Sequence, residues 1–276
     1  MSTRPRDWEK VIQKRIKEGR GRGVGPTYNP WIHVKRSEAP PKSRNHLYIS
    51  ITVGQREHNL LSDLEQKGTL FLDFSADVQD IREQFPLFPR KLGLDLAEKL
   101  GIVHPRYPNS TVPIVLSIDS LLTLSDGQPL ALDFKYLEDA STKKHLARLE
   151  LNRRFCEVFN IPWFLVLENN IPEIPYTNLV WLRQNAVLQA CLQKYVNDFV
   201  RLVSASWKRG ELLRDLIASI SIELSLEEGD SYNLFKHAVW SKQLRVDFDA
   251  PLSPTEPLLL LSDEARPKTI FGGLHI

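Results

Sequence analysis

Cysteine is scarce in this sequence, with two residues, Cys156 and Cys191, among 276. Two cysteines are too few for a disulfide framework or a cysteine-rich zinc site. Long apolar runs are also missing, since none approaches the ~18 residues that a membrane-spanning helix needs. The charged first residues contain no apolar stretch of the kind that marks a signal peptide. We therefore expect a reduced, cytoplasmic location and no membrane association.

The chain also lacks a marked excess of charge of either sign. Its 36 Lys and Arg residues and 34 Asp and Glu residues leave a net charge of +2. The charge of the whole chain therefore does not indicate a nucleic-acid binder. Apolar residues make up 42% and charged residues 25%, which is typical of a globular protein and excludes general disorder. At roughly 150 residues per domain, the length predicts one large domain or two small ones.

The charge is nevertheless unevenly distributed. Residues 1–46 contain 12 Lys and Arg but 4 Asp and Glu, whereas residues 246–276 contain 2 basic and 5 acidic residues. Glycines alternate with arginines at 19–23, which predicts a flexible, cationic arm that can follow DNA phosphates without reading bases. A solvated arm without a ligand is the alternative. The candidate DNA-binding residues are Arg15, Lys17, Arg20 and Arg22.

Apolar periodicity predicts an alternation of helices and strands in the first 170 residues. Two β-rich runs flank a turn signal at 125–128 and predict a hairpin. A helix and a buried strand follow the hairpin, which is typical of a mixed sheet flanked by helices in an α/β fold. The predicted helices are 6–18, 60–74, 91–100 and 142–159, and the predicted strands are 46–53, 78–85, 113–124, 129–137 and 161–167.

The C-terminal part has a different character. Residues 177–243 are predicted to be mostly helical, and a helix, turn, helix and short strand at 244–248 suggest a winged-helix-like module. A plain helical subdomain is the alternative. Four prolines then predict an extended or disordered acidic tail. The predicted divisions are a basic N-terminal helix and arm at 1–45, a nuclease-type domain at 46–170, a winged-helix-like domain at 171–250 and a tail at 251–276.

Two carboxylates and a lysine are predicted to converge at the end of the hairpin. Asp119 lies among apolar strand residues, where a carboxylate is costly unless it pairs or binds a cation. Asp133 and Lys135 share a face of the second strand because side chains alternate with period two. In phosphodiester hydrolysis, carboxylates hold Mg²⁺ and a lysine holds water or neutralises developing charge. The spacing is that of the PD-(D/E)xK nuclease superfamily.

Both parts of this hypothesis have a plainer alternative. Asp133 and Lys135 are also explained as a surface ion pair worth about 0–1 kcal/mol. Glu65 is the candidate for the additional helical carboxylate that many such nucleases use. It also stands three residues after Ser62, which is the spacing of a capping box at the start of a helix. A glutamate at this position can serve either purpose.

Several longer motifs occur in order between residues 9 and 185. They are RIKEGRG at 15–21, YNPW at 28–31, HNLLSDLE at 58–65, DIREQFPL at 80–87, LELNRR at 149–154 and IPWF at 161–164. Together they resemble the TnsA family, the endonuclease subunits of heteromeric bacterial cut-and-paste transposons, including CRISPR-associated ones. The C-terminal part is more loosely similar to the winged-helix-like domain of that family.

The resemblance implies a restriction-endonuclease-like fold and DNA cleavage that depends on Mg²⁺, with Mn²⁺ as a substitute. It carries over Glu65, Asp119 and Lys135 as the catalytic triad. Asp119 is then expected to bridge the metals, and Lys135 to position water. Glu65, Asp133 and the Phe134 carbonyl are expected to complete the ligand shell. Asp133 departs from the family, because some relatives carry glutamine there, and its acidity brings the site closer to the general nuclease pattern.

The resemblance also implies partners. A TnsA-like protein cuts the 5′ strands at transposon ends, beside a TnsB-type transposase that cuts the 3′ strands and a TnsC-type AAA+ regulator. The C-terminal domain and tail are then expected to dock the regulator and DNA. Two alternatives remain, a stand-alone restriction-type nuclease and a non-catalytic DNA-binding adaptor. Retention of all four polar site residues argues against the adaptor.

Overall fold

The computed structural model describes residues 6–34, 44–262, 269–270 and 274–275. The chain forms two compact units. The first comprises the residues up to Asn170 together with the strands that follow residue 268, and the second comprises Ile171–Lys268. Within the described residues, no helix has the length and apolar character that crossing a membrane requires.

A mixed sheet flanked by helices forms the first unit, as the sequence predicts. Its central sheet has the strand order β3-β4-β5-β6, in which β3, β4 and β5 are antiparallel and β6 runs parallel to β5. This is the arrangement expected of a restriction-endonuclease-like fold. The elements are α1 (Trp8–Lys17), β1 (His46–Ile49), β2 (Glu57–Leu60), α2 (Asp63–Phe74), β3 (Val78–Pro86), α3 (Arg90–Lys99), β4 (Ser117–Leu124), β5 (Pro129–Lys135), α4 (Leu137–Ala140), α5 (Lys143–Val158), β6 (Trp163–Leu167), β7 (Thr269–Ile270) and β8 (Leu274–His275).

Most predicted elements of this unit are confirmed to within a few residues. The exceptions are the strand predicted at 46–53, which ends at Ile49, and four elements that the sequence analysis did not predict, namely β2, α4, β7 and β8. β1 and β2 pair as a separate antiparallel hairpin. The hairpin is short because residues 51–55 turn, and their backbone N–H groups at Ile51 and Thr52 donate to the buried Asp73 carboxylate.

The core of the first unit lies between the sheet and the helices α3 and α5. Leu151, Phe155 and Cys156 of α5 pack against Ile118 and Ala131, and all five are buried. Burial raises the pKa of the Cys156 thiol to about 12, so this cysteine behaves as an apolar core residue. The apolar stripe predicted on this helix therefore fixes α5 against the strands that carry Asp119 and Asp133.

The N-terminal segment is part of this unit rather than a separate arm. Trp31 is buried with Ile12 and Val115. The Tyr28 hydroxyl donates to the Glu83 carbonyl over 3.1 Å, and the Gly25 N–H donates to Asp80 Oδ2 over 3.1 Å. The prediction of a flexible arm at 19–23 is wrong. These residues connect α1 to the segment at 25–31, which is bound to β3 by the hydrogen bonds above. The sequence pattern does not show these contacts because they join distant segments.

The second unit is helical. Its helices are α6 (Glu173–Arg183), α7 (Val196–Ser206), α8 (Leu213–Leu224) and α9 (Glu228–Trp240), with a 3₁₀ segment at Ala190–Tyr195. The turn between α8 and α9 begins at Ser225, whose φ of 54° is left-handed. The predicted strand at 244–248 is absent, because Val246 forms an isolated bridge with Leu260 and no continuous ladder. The two helices and the turn of the winged-helix prediction are present, whereas the strand that would form the wing is not, so the winged-helix assignment stays a prediction.

The segment predicted as a tail begins differently from expectation. Residues 251–262 are extended but packed on the second unit, where Leu252 and Leu258 are buried and Pro257 bridges to Leu212. The buried apolar side chains of Leu252 and Leu258, and not the prolines, decide this placement. Most of the predicted acidic end, at 263–268, 271–273 and 276, lies outside the described residues.

Candidate active site

Asp119 and Asp133 lie where the pairing of β4 with β5 ends. The last backbone pair is Ser120 with Leu132, so Asp119 and Asp133 are the next residues on the two strands. Beyond this pair, the two side-chain carboxylates accept hydrogen bonds from backbone N–H groups, as backbone carbonyls would in a continued ladder. The Phe134 N–H donates to Asp119 Oδ2 over 2.8 Å, and the Asp119 N–H donates to Asp133 Oδ1 over 3.3 Å. The antiparallel register thus brings together the two aspartates that the sequence placed 14 residues apart.

Lys135 completes this group at the end of β5. Its ammonium lies 3.1 Å from Asp119 Oδ2 and 2.6 Å from the Phe134 carbonyl oxygen. Burial lowers the pKa of Lys135, but the negative charges of Asp119 and Asp133 outweigh that effect and the net shift is upward. Lys135 is therefore a cation that bridges two oxygens of the site, and not the exposed ion-pair partner of Asp133.

Glu65 lies in the first turn of α2 and shows features of both predicted roles, the helix cap and the additional carboxylate of the site. Ser62 caps the helix by accepting a hydrogen bond from the Glu65 N–H over 3.1 Å. The Glu65 carboxylate accepts from the Ser62 hydroxyl and from the Leu61 N–H, each over 3.0 Å, so the box closes one residue earlier than in the standard pattern. Burial, together with the charge of Asp119, raises the pKa of Glu65 to about 8. The capping glutamate therefore faces the aspartate site.

A close contact between α2 and β5 makes this approach possible. A Cβ atom added to Gly68 would lie 2.1 Å from Cε1 of Phe134, which is far inside van der Waals contact. Gly68 therefore lets the Phe134 ring pack directly against the helix backbone. This packing holds the start of α2, and with it Glu65, over the end of β5.

Gln84 is a site residue that the sequence analysis missed. It lies on β3 opposite Asp119, at the position that the strand register omits between Glu83 and Phe85. Its φ of 48° is left-handed, a conformation that is uncommon outside glycine, asparagine and aspartate. Its carbonyl accepts from the Trp31 N–H over 3.3 Å, while its side-chain amide donates to Glu65 Oε2 over 2.9 Å. No local pattern in the sequence signals this distortion.

Asp133 joins the group but has a different set of partners. Its Oδ2 accepts from Asn152 Nδ2 over 2.9 Å and from Trp163 Nε1 over 2.8 Å. Burial and the charge of Asp119 raise the pKa of this carboxyl group. Asp133 Oδ2 therefore accepts two hydrogen bonds, whereas Oδ1 accepts only the one from the Asp119 N–H and keeps a lone pair that is available to a cation. Asn152 and Trp163 both lie in motifs on which the family resemblance rests, but sequence analysis assigned them no role.

The predicted metal ligands can be compared with this geometry. Among the described residues, no group of three or more His, Cys, Asp and Glu side chains is placed to hold a metal ion. The oxygens of Asp119 and Phe134 meet at the Lys135 ammonium, and the Glu65 carboxylate is near enough for the charge of Asp119 to raise its pKa. These are hard donors that suit Mg²⁺ or Mn²⁺ better than zinc. The Lys135 ammonium sits on two positions of this donor set, which shows that the set accepts positive charge.

The predicted DNA-binding residues fall into two pairs. Lys17 and Arg22 are exposed, whereas Arg15 and Arg20 are buried. Arg20 donates to Glu18 Oε2 over 2.9 Å and to the Trp31 carbonyl over 3.3 Å, and the Arg15 guanidinium lies 5.3 Å from the centre of the Trp31 ring. Arg15 and Arg20 are therefore structural cations that hold the N-terminal segment. DNA contact by Lys17 and Arg22 stays a prediction.

Comparison with known proteins places this site in a family. A family model described as "TnsA-like endonuclease N terminal" matches residues 75–168, and one described as "TnsA endonuclease C terminal" matches residues 170–248. The first match contains Asp119, Asp133 and Lys135, while Glu65 precedes it. The transposition protein TnsA of transposon Tn7 from Escherichia coli is 39% identical over 179 residues. That alignment spans 63% of this chain and 62% of the Tn7 protein, so the chain matches about six tenths of the length of this relative.

Proposed function

Because the chain belongs to the TnsA-like endonuclease family, we propose that it is a metal-dependent DNA endonuclease, the subunit of a transposase that cleaves the 5′ strands at transposon ends. The observation that carries this proposal is the meeting of Asp119, Lys135 and the Phe134 carbonyl where β4 and β5 stop pairing. Asp119 and Lys135 are the residue types that phosphodiester hydrolysis uses, and they are in contact at a strand end.

Mg²⁺ or Mn²⁺ would be held by Glu65, Asp119 and the Phe134 carbonyl. A divalent cation supplies charge stabilisation at the phosphate and makes water a better nucleophile. Asp133 orients Asp119, since its Oδ1 accepts the Asp119 N–H while Asn152 and Trp163 fix its Oδ2. Through the remaining lone pair of Oδ1, Asp133 would also complete the ligand shell.

Lys135 acts as a hydrogen-bond donor in this scheme. Its pKa is shifted upward by the neighbouring carboxylates despite its burial, so it keeps its proton and does not serve as a general base. With a divalent cation bound by Asp119, the Lys135 ammonium would be available to donate to water or to a phosphate oxygen. Its positive charge then offsets the negative charge that develops during cleavage.

The partners in this proposal are DNA, a TnsB-type transposase and a TnsC-type AAA+ regulator, all acting in the cytoplasm. The relative from Tn7 is a transposition protein, and the family match to its C-terminal domain covers residues 170–248. This second unit is the expected docking region for the regulator and for DNA.

Strand-specific mapping of donor DNA in a reconstituted reaction with both partner proteins tests the proposal. Asp119→Ala and Lys135→Ala should abolish 5′-strand cleavage, while 3′-strand joining persists because it uses the active site of the transposase. Asp126→Ala is the matched control, since Asp126 is exposed at the other end of the same hairpin and should leave cleavage unchanged. Persistence of 5′ cleavage in the Asp119 variant would contradict the nuclease assignment.

Two further measurements address the alternatives and the metal. Cleavage of naked plasmid by the purified chain would favour a stand-alone nuclease, and 5′ cleavage that is indifferent to the Asp119 substitution would favour an adaptor. Mg²⁺ or Mn²⁺ should support cleavage and EDTA should stop it. Activity that requires zinc, or full activity in EDTA, would contradict the oxygen ligand set.

A further inference from the structure

Helix α5 carries a row of donors that leads from solvent to the carboxylates of the site. Lys144, Arg148 and Asn152 are spaced four residues apart and therefore lie on one face of the helix. Asn152 Nδ2 donates to the Ser117 carbonyl over 3.1 Å and to Asp133 Oδ2 over 2.9 Å. Arg148 lies one turn earlier, where its guanidinium is 3.5 Å from the same Ser117 carbonyl. Lys144 is one further turn away and exposed.

Arg148 differs from the other arginines of α5 in its partners. Arg153 and Arg154 pair with Glu150 over 2.8 Å. Within residues 6–34 and 44–262, Arg148 forms no ion pair, and its one hydrogen bond is the long contact to Ser117. A bond of 3.5 Å is at the weak limit for this interaction, so most of the five N–H donors of the guanidinium face no strong acceptor. The side chain is half-buried, which restricts its orientation.

We propose that Arg148, continued by Lys144, binds backbone phosphates of the DNA strand that enters the Asp119–Lys135 site. This inference rests on the proposed nuclease function and names the substrate contact that the N-terminal segment was expected to supply. A DNA strand that approaches Glu65, Asp119 and Asp133 meets buried negative charge. The Lys135 ammonium already contacts Asp119, whereas the neighbouring Arg148 guanidinium has no carboxylate partner among the described residues. Arg148 is therefore the cation that is available to a phosphate. A planar guanidinium suits bidentate binding of a phosphate.

The expected ligand is any DNA backbone, because phosphate contacts carry no base information. A salt dependence is also expected, since each neutralised phosphate releases counterions and contributes roughly one unit to the slope of log affinity against log salt. Of the two residues, Arg148 should make the tighter phosphate contact, because its half-buried side chain is held in place. Lys144, on a fully exposed stem, should contribute less.

The test measures binding of the full chain to a fluorescent 30-base-pair duplex by anisotropy, in EDTA and over a range of salt concentrations. We expect Arg148→Ala to weaken binding about tenfold and to reduce the salt slope by about one unit. Arg148→Lys should restore most of the slope. Arg154→Ala, on the same helix but paired with Glu150 and Glu157, is the matched control and should change the affinity less than about twofold.

A neutral methylphosphonate placed at successive positions of the duplex identifies the contact. At one position the substitution should weaken wild-type binding but have no added effect on Arg148→Ala. Equal affinity and slope for Arg148→Ala and Arg154→Ala, in proteins with equal melting temperatures, would overturn the inference. Because the assay needs no cleavage, that result is distinct from failure of the nuclease proposal, which would appear as unaltered 5′ cleavage in Asp119→Ala.

Discussion

Glu65 and Glu83 are both buried glutamates of the first unit, with 5% and 0% of their surface exposed, but their partners differ in charge. The Glu83 carboxylate contacts the Arg56 guanidinium over 2.8 Å and His58 Nδ1 over 3.0 Å. The hydrogen bonds to Glu65 come from neutral groups, namely the Leu61 N–H, the Ser62 hydroxyl and the Gln84 amide.

The pKa values of the two glutamates diverge accordingly. Burial alone would raise the pKa of Glu83, but the hydrogen bonds and charges of His58 and Arg56 lower it to about 2. Burial raises the pKa of Glu65 to about 8, because Lys135 offsets little of the effect of burial and of Asp119. The Arg56 cation and His58 complete a structural cluster with Glu83 between β2 and β3. Glu65 keeps the capacity to take a cation, which is the property of a ligand.

The largest expected effect comes from neutralising the glutamate of the site. Glu65→Gln should reduce 5′-strand cleavage by at least about a thousandfold, because the charge beside the cation is lost. The melting temperature should change little, since a glutamine oxygen at the Oε2 position still accepts from the Leu61 N–H and the Gln84 amide. Strand mapping in the reconstituted reaction measures the loss. Cleavage at the wild-type rate would mean that Glu65 is a cap and not a ligand.

Removing the Arg56 partner of Glu83 should lower the stability of the protein without affecting the chemistry of cleavage. Arg56→Leu leaves Glu83 with reduced compensation in the interior and should lower the free energy of unfolding by about 3–5 kcal/mol. Urea unfolding at pH 7 measures it. Arg153→Leu removes an exposed ion pair with Glu150 and should cost about 0–1 kcal/mol. Equal losses of unfolding free energy in the two variants would show that the buried Arg56–Glu83 pair contributes no more to stability than an exposed pair.

The pH dependence of stability should separate the two glutamates by sign. The folded pKa of Glu65, about 8, lies above its ordinary value of 4.5, so the folded state binds more protons between these values. In EDTA, the free energy of unfolding should therefore fall by on the order of 3 kcal/mol as the pH rises from 4.5 to 8. Glu65→Gln should flatten this fall.

Glu83 has the opposite sign. Its folded pKa, about 2, lies below 4.5, so its contribution is present above pH 4.5 and is lost as the pH falls toward 2. Urea unfolding of the wild type and of Glu65→Gln across both windows checks the two signs. A wild-type profile that stays level between pH 4.5 and 8, identical to that of Glu65→Gln, would contradict the raised pKa.

The smallest effect concerns the cap that precedes Glu65. Ser62→Ala removes the acceptor for the Glu65 N–H and should lower the free energy of unfolding by about 0.5–2 kcal/mol. Cleavage per folded molecule should fall less than in Glu65→Gln, because Gln84 and the Leu61 N–H still orient the carboxylate. Comparison of the two variants in the same cleavage assay measures this. A larger loss of cleavage in Ser62→Ala than in Glu65→Gln would show that the helix cap matters more for cleavage than the charge of Glu65.

Local patterns account for what could be predicted of this fold. Strand alternation predicted β4 and β5 and the turn between them, and the Ser62 cap was predicted because it depends on residues three apart. The meeting of Asp119 and Lys135 was also predictable, since a hairpin is a short-range structure whose register follows from its turn. The left-handed Gln84 and the partners of Asp133 were not, because they depend on contacts between distant segments.

The sequence by itself determined which residue types stand at the ends of the hairpin, where most helices and strands of the first unit lie, and that two aspartates and a lysine come together. Only the tertiary structure decided what each charge faces. It buried Arg15 and Arg20 against the N-terminal segment, gave Glu83 the Arg56 cation and His58, and gave Glu65 three neutral donors from the described residues. The physical reason is that the behaviour of a buried charge depends on its neighbours in space, and these neighbours lie up to tens of residues away along the chain.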